Sequence, residues 1–163
     1  MQIMKIKGKV FKFGDDIDTD LIIPARYLVT TDAKELGSHC LEGLKNGFPE
    51  GVVKGDIIVG GKNFGSGSSR EHAPLAIKGS GISAVVARSF ARIFYRNAIN
   101  IGLPIIELDK TAEFKDGDSI EIDFVEGEVN NLTRSKKYQF PKFPQFLQKI
   151  IQSGGLIKWA KKM

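Results

Sequence analysis

Apolar and polar positions alternate with two different periods along the chain, and the change of period marks out the elements. Residues 8–13 read as a first strand, followed by a polar loop, Gly14-Asp15-Asp16-Ile17-Asp18-Thr19-Asp20. Pro24 closes the short apolar stretch Leu21-Ile22-Ile23. From Asp32 the spacing becomes three to four residues, with Leu36, Cys40, Leu41 and Leu44 on one helical stripe. Asp32 and Glu35 stand where a capping box would open that helix. Residues 56–60 predict a strand, and a glycine-rich loop follows, Gly61-Lys62-Asn63-Phe64-Gly65-Ser66-Gly67-Ser68-Ser69. A helix is expected from Ser69 or Arg70 to Gly79 or Gly81, where glycine provides the stop. Then come a strand over 82–87, a helix over 90–99 and a strand over 103–108. That alternation implies a small parallel sheet with right-handed crossovers, so the fold class is α/β. Residues 118–124 alternate strictly, with Ile120, Ile122 and Phe124 on one face and a hairpin turn at Glu126-Gly127. The tail, residues 144–159, reads as an amphipathic helix broken at Gly154-Gly155.

Composition narrows the class. The 163 residues, 42% hydrophobic and 26% charged, fit one globular domain over 1–163 that buries roughly two-thirds of its unfolded surface. No apolar run approaches the ~18 residues of a membrane span. The N-terminal Met1-Gln2-Ile3-Met4-Lys5-Ile6-Lys7 lacks the apolar core of a signal peptide, so a cytoplasmic protein is expected. Cys40 is the only cysteine, which excludes an internal disulfide. With one Cys and two His (His39 and His72) the chain cannot ligate an iron–sulfur cluster or a structural zinc ion by itself. Any cluster must come from a partner. The net charge of +5 suits an anionic substrate, an acidic partner or nucleic acid equally, and equally a merely solvated basic surface.

Chemistry is expected at the glycine-rich loop, because ligands of open α/β sheets bind at the carboxyl ends of the strands. Gly61, Gly65 and Gly67 let the backbone approach a ligand closely. Ser68, Ser69 and Arg70 bring two hydroxyls and a guanidinium fork to the start of a helix, whose free N–H groups attract anions. The loop lacks the Gly-Lys-Ser/Thr ending of a nucleotide loop, and Arg70 stands where a dinucleotide fingerprint needs its third glycine. A carboxylate is therefore a better ligand than a phosphate; the alternative is a plain connection whose serines cap a helix. Asp16-x-Asp18-x-Asp20 resembles the opening of a calcium loop, but Leu21 replaces the required glycine and Tyr27 the closing glutamate. A turn whose side chains bond to nearby backbone is expected there instead.

Three segments in order resemble the mobile, swivelling domain of the aconitase superfamily. They are Asp18-Thr19-Asp20-x-Ile22-x-Pro24, Gly65-Ser66-Gly67-Ser68-Ser69-Arg70-Glu71-His72-Ala73, and Ser89-Phe90-Ala91-Arg92-Ile93-Phe94-Tyr95-Arg96-Asn97. The resemblance covers roughly residues 7–108. It implies a swivelling β/β/α domain with a partly parallel sheet and flanking helices. The length resembles that of the family's stand-alone small subunits, which pair with a large iron–sulfur subunit as a heterodimer or heterotetramer. A hydro-lyase active only with that subunit is implied, its [4Fe-4S] cluster on the partner acting as Lewis acid on the leaving hydroxyl.

Carried over residue by residue, the resemblance makes Ser68 the base that removes the proton alpha to a carboxylate. It makes Arg70 the holder of a substrate carboxylate and Ser69 a hydrogen-bonding aid. Asp18, Thr19, Asp20, Gly65, Gly67 and His72 form the supporting shell. Tyr27-Leu28-Val29-Thr30 resembles the specificity loop, which carries Arg at its third position in homoaconitase-like members and an apolar residue in isopropylmalate enzymes. Val29 points to a branched malate, with 2- and 3-isopropylmalate interconverted through isopropylmaleate in leucine biosynthesis. An isopropyl group buried on valine gains about 1.5–3 kcal/mol, whereas an added carboxylate there would lose its arginine partner. Thr30 departs from the bulkier residue often beside that valine. Homocitrate-type and dimethylmalate substrates are the alternatives, and Arg26 is either a charge for the loop or a surface residue. Arg92 and Arg96 share a helix face with Ser89 and are expected at an interface or as support. A non-catalytic anion- or RNA-binding module is the reading from another class; aromatic residues do not alternate with basic ones as base stacking requires.

Overall fold

The computed structural model describes residues 5–162; Met1 to Met4, which carry most of the N-terminal reading above, lie outside that range. Among the described residues seven strands form one sheet: β1 (Lys5–Lys12), β2 (Ile57–Val59), β3 (Ala84–Ala87), β4 (Ile105–Glu107), β5 (Ser119–Asp123), β6 (Glu128–Asn131) and β7 (Lys136–Gln139). Their order is β4-β3-β2-β1-β5-β6-β7. The first four are parallel, and β1 is the seam at which antiparallel β5, β6 and β7 join. The expected parallel sheet is thus half of a larger mixed one. β7 was not anticipated, because Lys136, Lys137 and Gln139 are exposed and only Tyr138 points inward, so no alternation of apolar residues marks it.

Burial on both faces explains why β2 and β3 are continuous apolar runs. Ile58, Val85, Ala87 and Ile105 pack into one core with the helices. Ile57, Val59, Ala84, Val86 and Ile106 face the other core, completed by Ile120, Ile122, Phe124, Val129 and Phe114. Each fully buried Ile or Val contributes roughly 1.5–3 kcal/mol, which makes this central strip the rigid base for the loops above it.

Seven helices accompany the sheet among the described residues: α1 (Thr19–Ile22), α2 (Ala33–Gly37), α3 (Phe48–Gly51), α4 (His72–Gly79), α5 (Arg92–Asn100), α6 (Gln145–Gln152) and α7 (Leu156–Lys161). The interruption at Gly154-Gly155 falls between α6 and α7, as the tail pattern implied. Two helical expectations need correction. The stripe from Asp32 to Leu44 is not one helix. Asp32 does cap α2, its Oδ1 accepting from the N–H groups of Lys34 and Glu35 at 2.9 and 3.4 Å. No reciprocal bond from Glu35 closes a capping box; the Asp32 N–H donates to Thr30 Oγ1 instead. The helix stops at Gly37, where a Cβ would lie 2.2 Å from the Gly79 carbonyl carbon, so α2 and α4 cross backbone to backbone. Leu41 then turns left-handed (φ 53°) and gives its N–H to the Ile22 carbonyl at 2.9 Å. Leu36, Cys40 and Leu41 are fully buried by this irregular path, while Leu44 is exposed. Tertiary packing has overridden the helical period.

The second correction concerns α4, which begins at His72 and not at Ser69 or Arg70. Pro74 sets that limit. A helix starting at Arg70 would need the N–H that proline lacks and would drive its ring against the Arg70 carbonyl, whereas in the first turn from His72 that N–H has no partner to lose. Ser68, Ser69 and Arg70 consequently belong to the loop ahead of the helix.

Candidate active site

Two loops, one after β1 and one after β2, run side by side at the carboxyl ends of those parallel strands. Backbone bonds join them: Gly61 N–H to Gly14 O at 3.0 Å, Asp16 N–H to Lys62 O at 2.8 Å, Gly65 N–H to Ile17 O at 2.7 Å and Thr19 N–H to Ser66 O at 2.8 Å. Side chains add to the ladder. Asp15 Oδ1 accepts from the Lys62 N–H at 2.7 Å, and Asn63 Nδ2 donates to Asp16 Oδ1 at 3.2 Å. Asp18 caps α1 by accepting from the Leu21 N–H at 2.8 Å. Within the calcium-like run only Asp18 bonds to nearby backbone as the turn reading expects; Asp16 accepts from the Asn63 side chain and Asp20 from the Arg70 side chain instead.

The glycine-rich loop rests on aromatic packing. Phe64 pairs with Phe90 in a parallel bridge, and the Ser89 hydroxyl accepts from the Asn63 N–H at 2.8 Å. Phe64, Phe90 and Phe94 pack ring on ring beneath it, with Phe64 and Phe94 centroids 5.5 Å apart. Gly65 (φ 82°) lies directly on the Phe94 ring, and Gly67 (φ 98°) passes over Thr19. Ser89 thus supports the loop, a role legible only once β2 and β3 are known to be neighbours. Arg92 and Arg96 are exposed on α5, free of ion pairs among the described residues.

These contacts bring together Asp18, Thr19, Asp20, Gly65, Gly67, Ser68 and Arg70. Ser68 is an exposed residue whose Oγ sits 3.4 Å from the Oγ1 of the buried Thr19. Arg70 folds back so that Nη1 donates to Asp20 Oδ1 at 3.3 Å and to the Ile23 carbonyl at 3.2 Å. Among the described residues its Nε and Nη2 donate to no protein acceptor. The same holds for the backbone N–H groups of Ser66, Gly67, Ser68, Ser69, Glu71 and His72. The loop therefore presents a set of free donors, an oriented guanidinium edge and two exposed serines, Ser68 and Ser69. Such a set can hold a carboxylate and stabilise an oxyanion.

Other predicted residues stand further out. Ser69 is exposed without a side-chain partner, and His72 is half-buried on the first turn of α4 without one. Tyr27 ends a single 3-10 turn, Ala25–Tyr27, reached from Ile23 through Pro24. Its hydroxyl bonds to Glu42, and Val29 is 90% exposed. No hydrogen bond joins residues 27–30 to the serine loop. A cavity of about 650 Å³ lies between α2, α4, α5 and α7, lined by Leu75, Lys78, Ile101 and Lys158 among others. None of the predicted site residues borders it.

The residues present do not fit an iron–sulfur cluster or a metal centre. Cys40 is fully buried, and burial pushes its thiol well above the ordinary range, so it offers no thiolate. Among the described residues no group of three or more His, Cys, Asp or Glu converges on one point. No described helix is long and apolar enough to cross a membrane.

Comparison with known proteins bears on the fold and the family. Residues 50–111 match the family model of the aconitase C-terminal domain. The chain is 59% identical over 160 residues to the 3-isopropylmalate dehydratase small subunit of Thermodesulfovibrio yellowstonii, covering 98% of this chain and 95% of that one. It is 60% identical to the corresponding small subunit of Clostridium beijerinckii, covering 97% and 99%. A crystal structure of 3-isopropylmalate dehydratase from Methanocaldococcus jannaschii superposes with a TM-score of 0.92 at 52% identity, over 98% of this chain and 95% of that one.

Proposed function

The chain belongs to the family of 3-isopropylmalate dehydratase small subunits, built on an aconitase C-terminal-type domain, and from that premise we propose how its own residues serve the reaction. It works as the small half of a heteromeric hydro-lyase, and the large subunit supplies the [4Fe-4S] cluster that this chain cannot hold. Heterodimer and heterotetramer both fit the reading, as do residues 1–163 acting as one domain in the cytoplasm. The substrate pair is 2- and 3-isopropylmalate, with isopropylmaleate as the dehydrated intermediate.

Ser68 takes the proton alpha to a substrate carboxylate during dehydration and returns it on rehydration. A serine hydroxyl is a weak base because its alkoxide is unstable in water. The free N–H groups of residues 66–69 and 71–72 and the nearby Arg70 charge offset that instability. The observation that carries the reading is that Ser68 stands exposed within a loop whose backbone N–H groups no protein acceptor uses. Arg70 holds the substrate carboxylate through its Nε and Nη2 edge, in the orientation fixed by Asp20 and the Ile23 carbonyl. Ser69 adds a hydrogen bond. Asp18, Thr19, Gly65 and Gly67 set the shape of the loop pair, and His72 supports it from α4.

Val29, exposed on the Tyr27-Leu28-Val29-Thr30 loop, receives the isopropyl group. Val29→Arg in the two-subunit enzyme removes that apolar contact and offers a partner for a third carboxylate. The preference for isopropylmaleate over homoaconitate is expected to fall about 10- to 100-fold. Competition kinetics with the two unsaturated acids measures this, and an unchanged preference rejects the loop as the specificity element.

A further inference from the structure

We propose that Glu42, with His39 beside it, is a positioning residue that holds the specificity loop in place and so helps set the enzyme's choice of substrate. This rests on the reading of residues 27–30 as the substrate loop.

The loop is lightly held: Leu28 packs against the core and Thr30 Oγ1 accepts from the Asp32 N–H at 3.1 Å. After the Leu28 N–H bond to the Ala25 carbonyl, no backbone-to-backbone hydrogen bond involves Val29, Thr30 or Thr31. Packing beneath is incomplete as well: a pocket of about 30 Å³ remains between Tyr27, Val29, Thr30, Leu36 and His39. The Tyr27 side chain adds the tether that reaches beyond the loop's immediate neighbours. Its hydroxyl donates to Glu42 Oε1 at 2.5 Å, and its ring lies parallel to the His39 imidazole, centroids 3.9 Å apart and planes within 6°.

Glu42 is placed to act as a fixed post. It follows Cys40 and Leu41, both fully buried, and Leu41 is bonded to the Ile22 carbonyl of the site's own first helix. The carboxylate gathers the surrounding groups: His39 Nδ1 lies 3.0 Å from Oε2, and Arg26 Nη2 lies 3.5 Å from Oε1. The Arg26 guanidinium carbon is also 4.7 Å from the Tyr27 ring centroid. The Tyr27 hydroxyl bond above all, with His39 and Arg26, keeps the Glu42 carboxyl below its ordinary range against the opposing effect of burial. It therefore stays ionised, as a strong acceptor, near neutral pH. Arg26 is accounted for by this cluster, an arrangement in which it braces Tyr27 and Glu42 and is not a free charge.

The two-subunit enzyme with Glu42→Ala, Glu42→Gln and Tyr27→Phe tests this, using isopropylmaleate and its shorter homologue methylmaleate. Losing a charge-assisted hydrogen bond under a substrate-binding loop is expected to raise KM for isopropylmaleate about tenfold or more in Glu42→Ala. kcat should change by less than about threefold, because the proton-transfer groups are untouched. The preference for the isopropyl over the methyl side chain should narrow. Glu42→Gln, whose amide oxygen still accepts from Tyr27, should recover most of the KM, and Tyr27→Phe should resemble Glu42→Ala. Parental KM and preference in Glu42→Ala overturn the proposal, as does a fall in kcat accompanied by a lower melting temperature. Val29→Arg separates the two readings. If it changes preference while Glu42→Ala does not, the post fails and the loop assignment stands; if it leaves preference unchanged, the loop assignment itself falls.

Discussion

In the reconstituted two-subunit enzyme, Ser68→Ala is expected to lower kcat by roughly 10²- to 10⁴-fold, the usual worth of a positioned proton-transfer group, with a small change in KM. The nearest hydroxyl, Thr19 Oγ1 at 3.4 Å, is buried and cannot take over. Ser68 itself is exposed and packs against nothing that its loss would empty, so the melting temperature should barely move. Steady-state hydration of isopropylmaleate, with a thermal melt of the same preparation, reads both quantities. A Ser68→Ala enzyme with parental kcat removes Ser68 as the base and leaves the donors of the loop without a nucleus.

Gly65→Ala tests the platform under that loop. A Cβ at Gly65 would stand 2.2 Å from Phe94 Cγ and 2.5 Å from its Cβ, and the residue has a φ of 82°. Phe94 cannot yield: it is 2% exposed and locked between Phe64 and Phe90. Left-handed strain plus overpacking amounts to roughly 2–5 kcal/mol, a large share of the roughly 5–15 kcal/mol that holds a domain folded. In a chain of this size that lowers Tm by on the order of 5 to 20 °C. Gly117→Ala is the control, with a similar φ of 87° and nothing within 4 Å of the added carbon. It should lose only the strain, about 1–2 kcal/mol. Equal losses in the two variants would mean that Gly65 is needed for its backbone angle and not for its contact with Phe94.

Much of this could be read from residue order, for identifiable reasons. β2 and β3 are uniform apolar runs because both faces are covered, and such runs stand out between glycine-rich connections. The strict alternation of Ile120, Ile122 and Phe124 marked β5 in the same way. Ser68 and Arg70 stood out by type beside the loop glycines, whereas Asp18 and Thr19 joined the candidate site through the resemblance to the aconitase superfamily. What failed was set by contacts distant in sequence. The stripe from Leu36 to Leu44 has a helical period, yet Gly37 must meet Gly79 and Leu41 must reach Ile22. The late start of α4 was legible in principle from Pro74, whose missing N–H forbids an earlier first turn. Glu42 carried only the signal of a His–Glu pair three residues apart; its bond to Tyr27 spans fifteen residues that no local rule connects. Arg70 was expected to hold a carboxylate with Asp20 in the supporting shell, and the bond between them, with that to the Ile23 carbonyl, appears only when the two loops are seen side by side.

The central claim is that this chain supplies the base and the carboxylate clamp to a site whose cluster lies on another subunit. Titrating the chain into a fixed amount of its anaerobically reconstituted large iron–sulfur subunit, and following hydration of isopropylmaleate, tests it most directly. Activity should be absent from either subunit alone, rise with added chain and saturate at a fixed ratio. Turnover by the purified chain alone, or none from the complex with an intact cluster, would contradict the account.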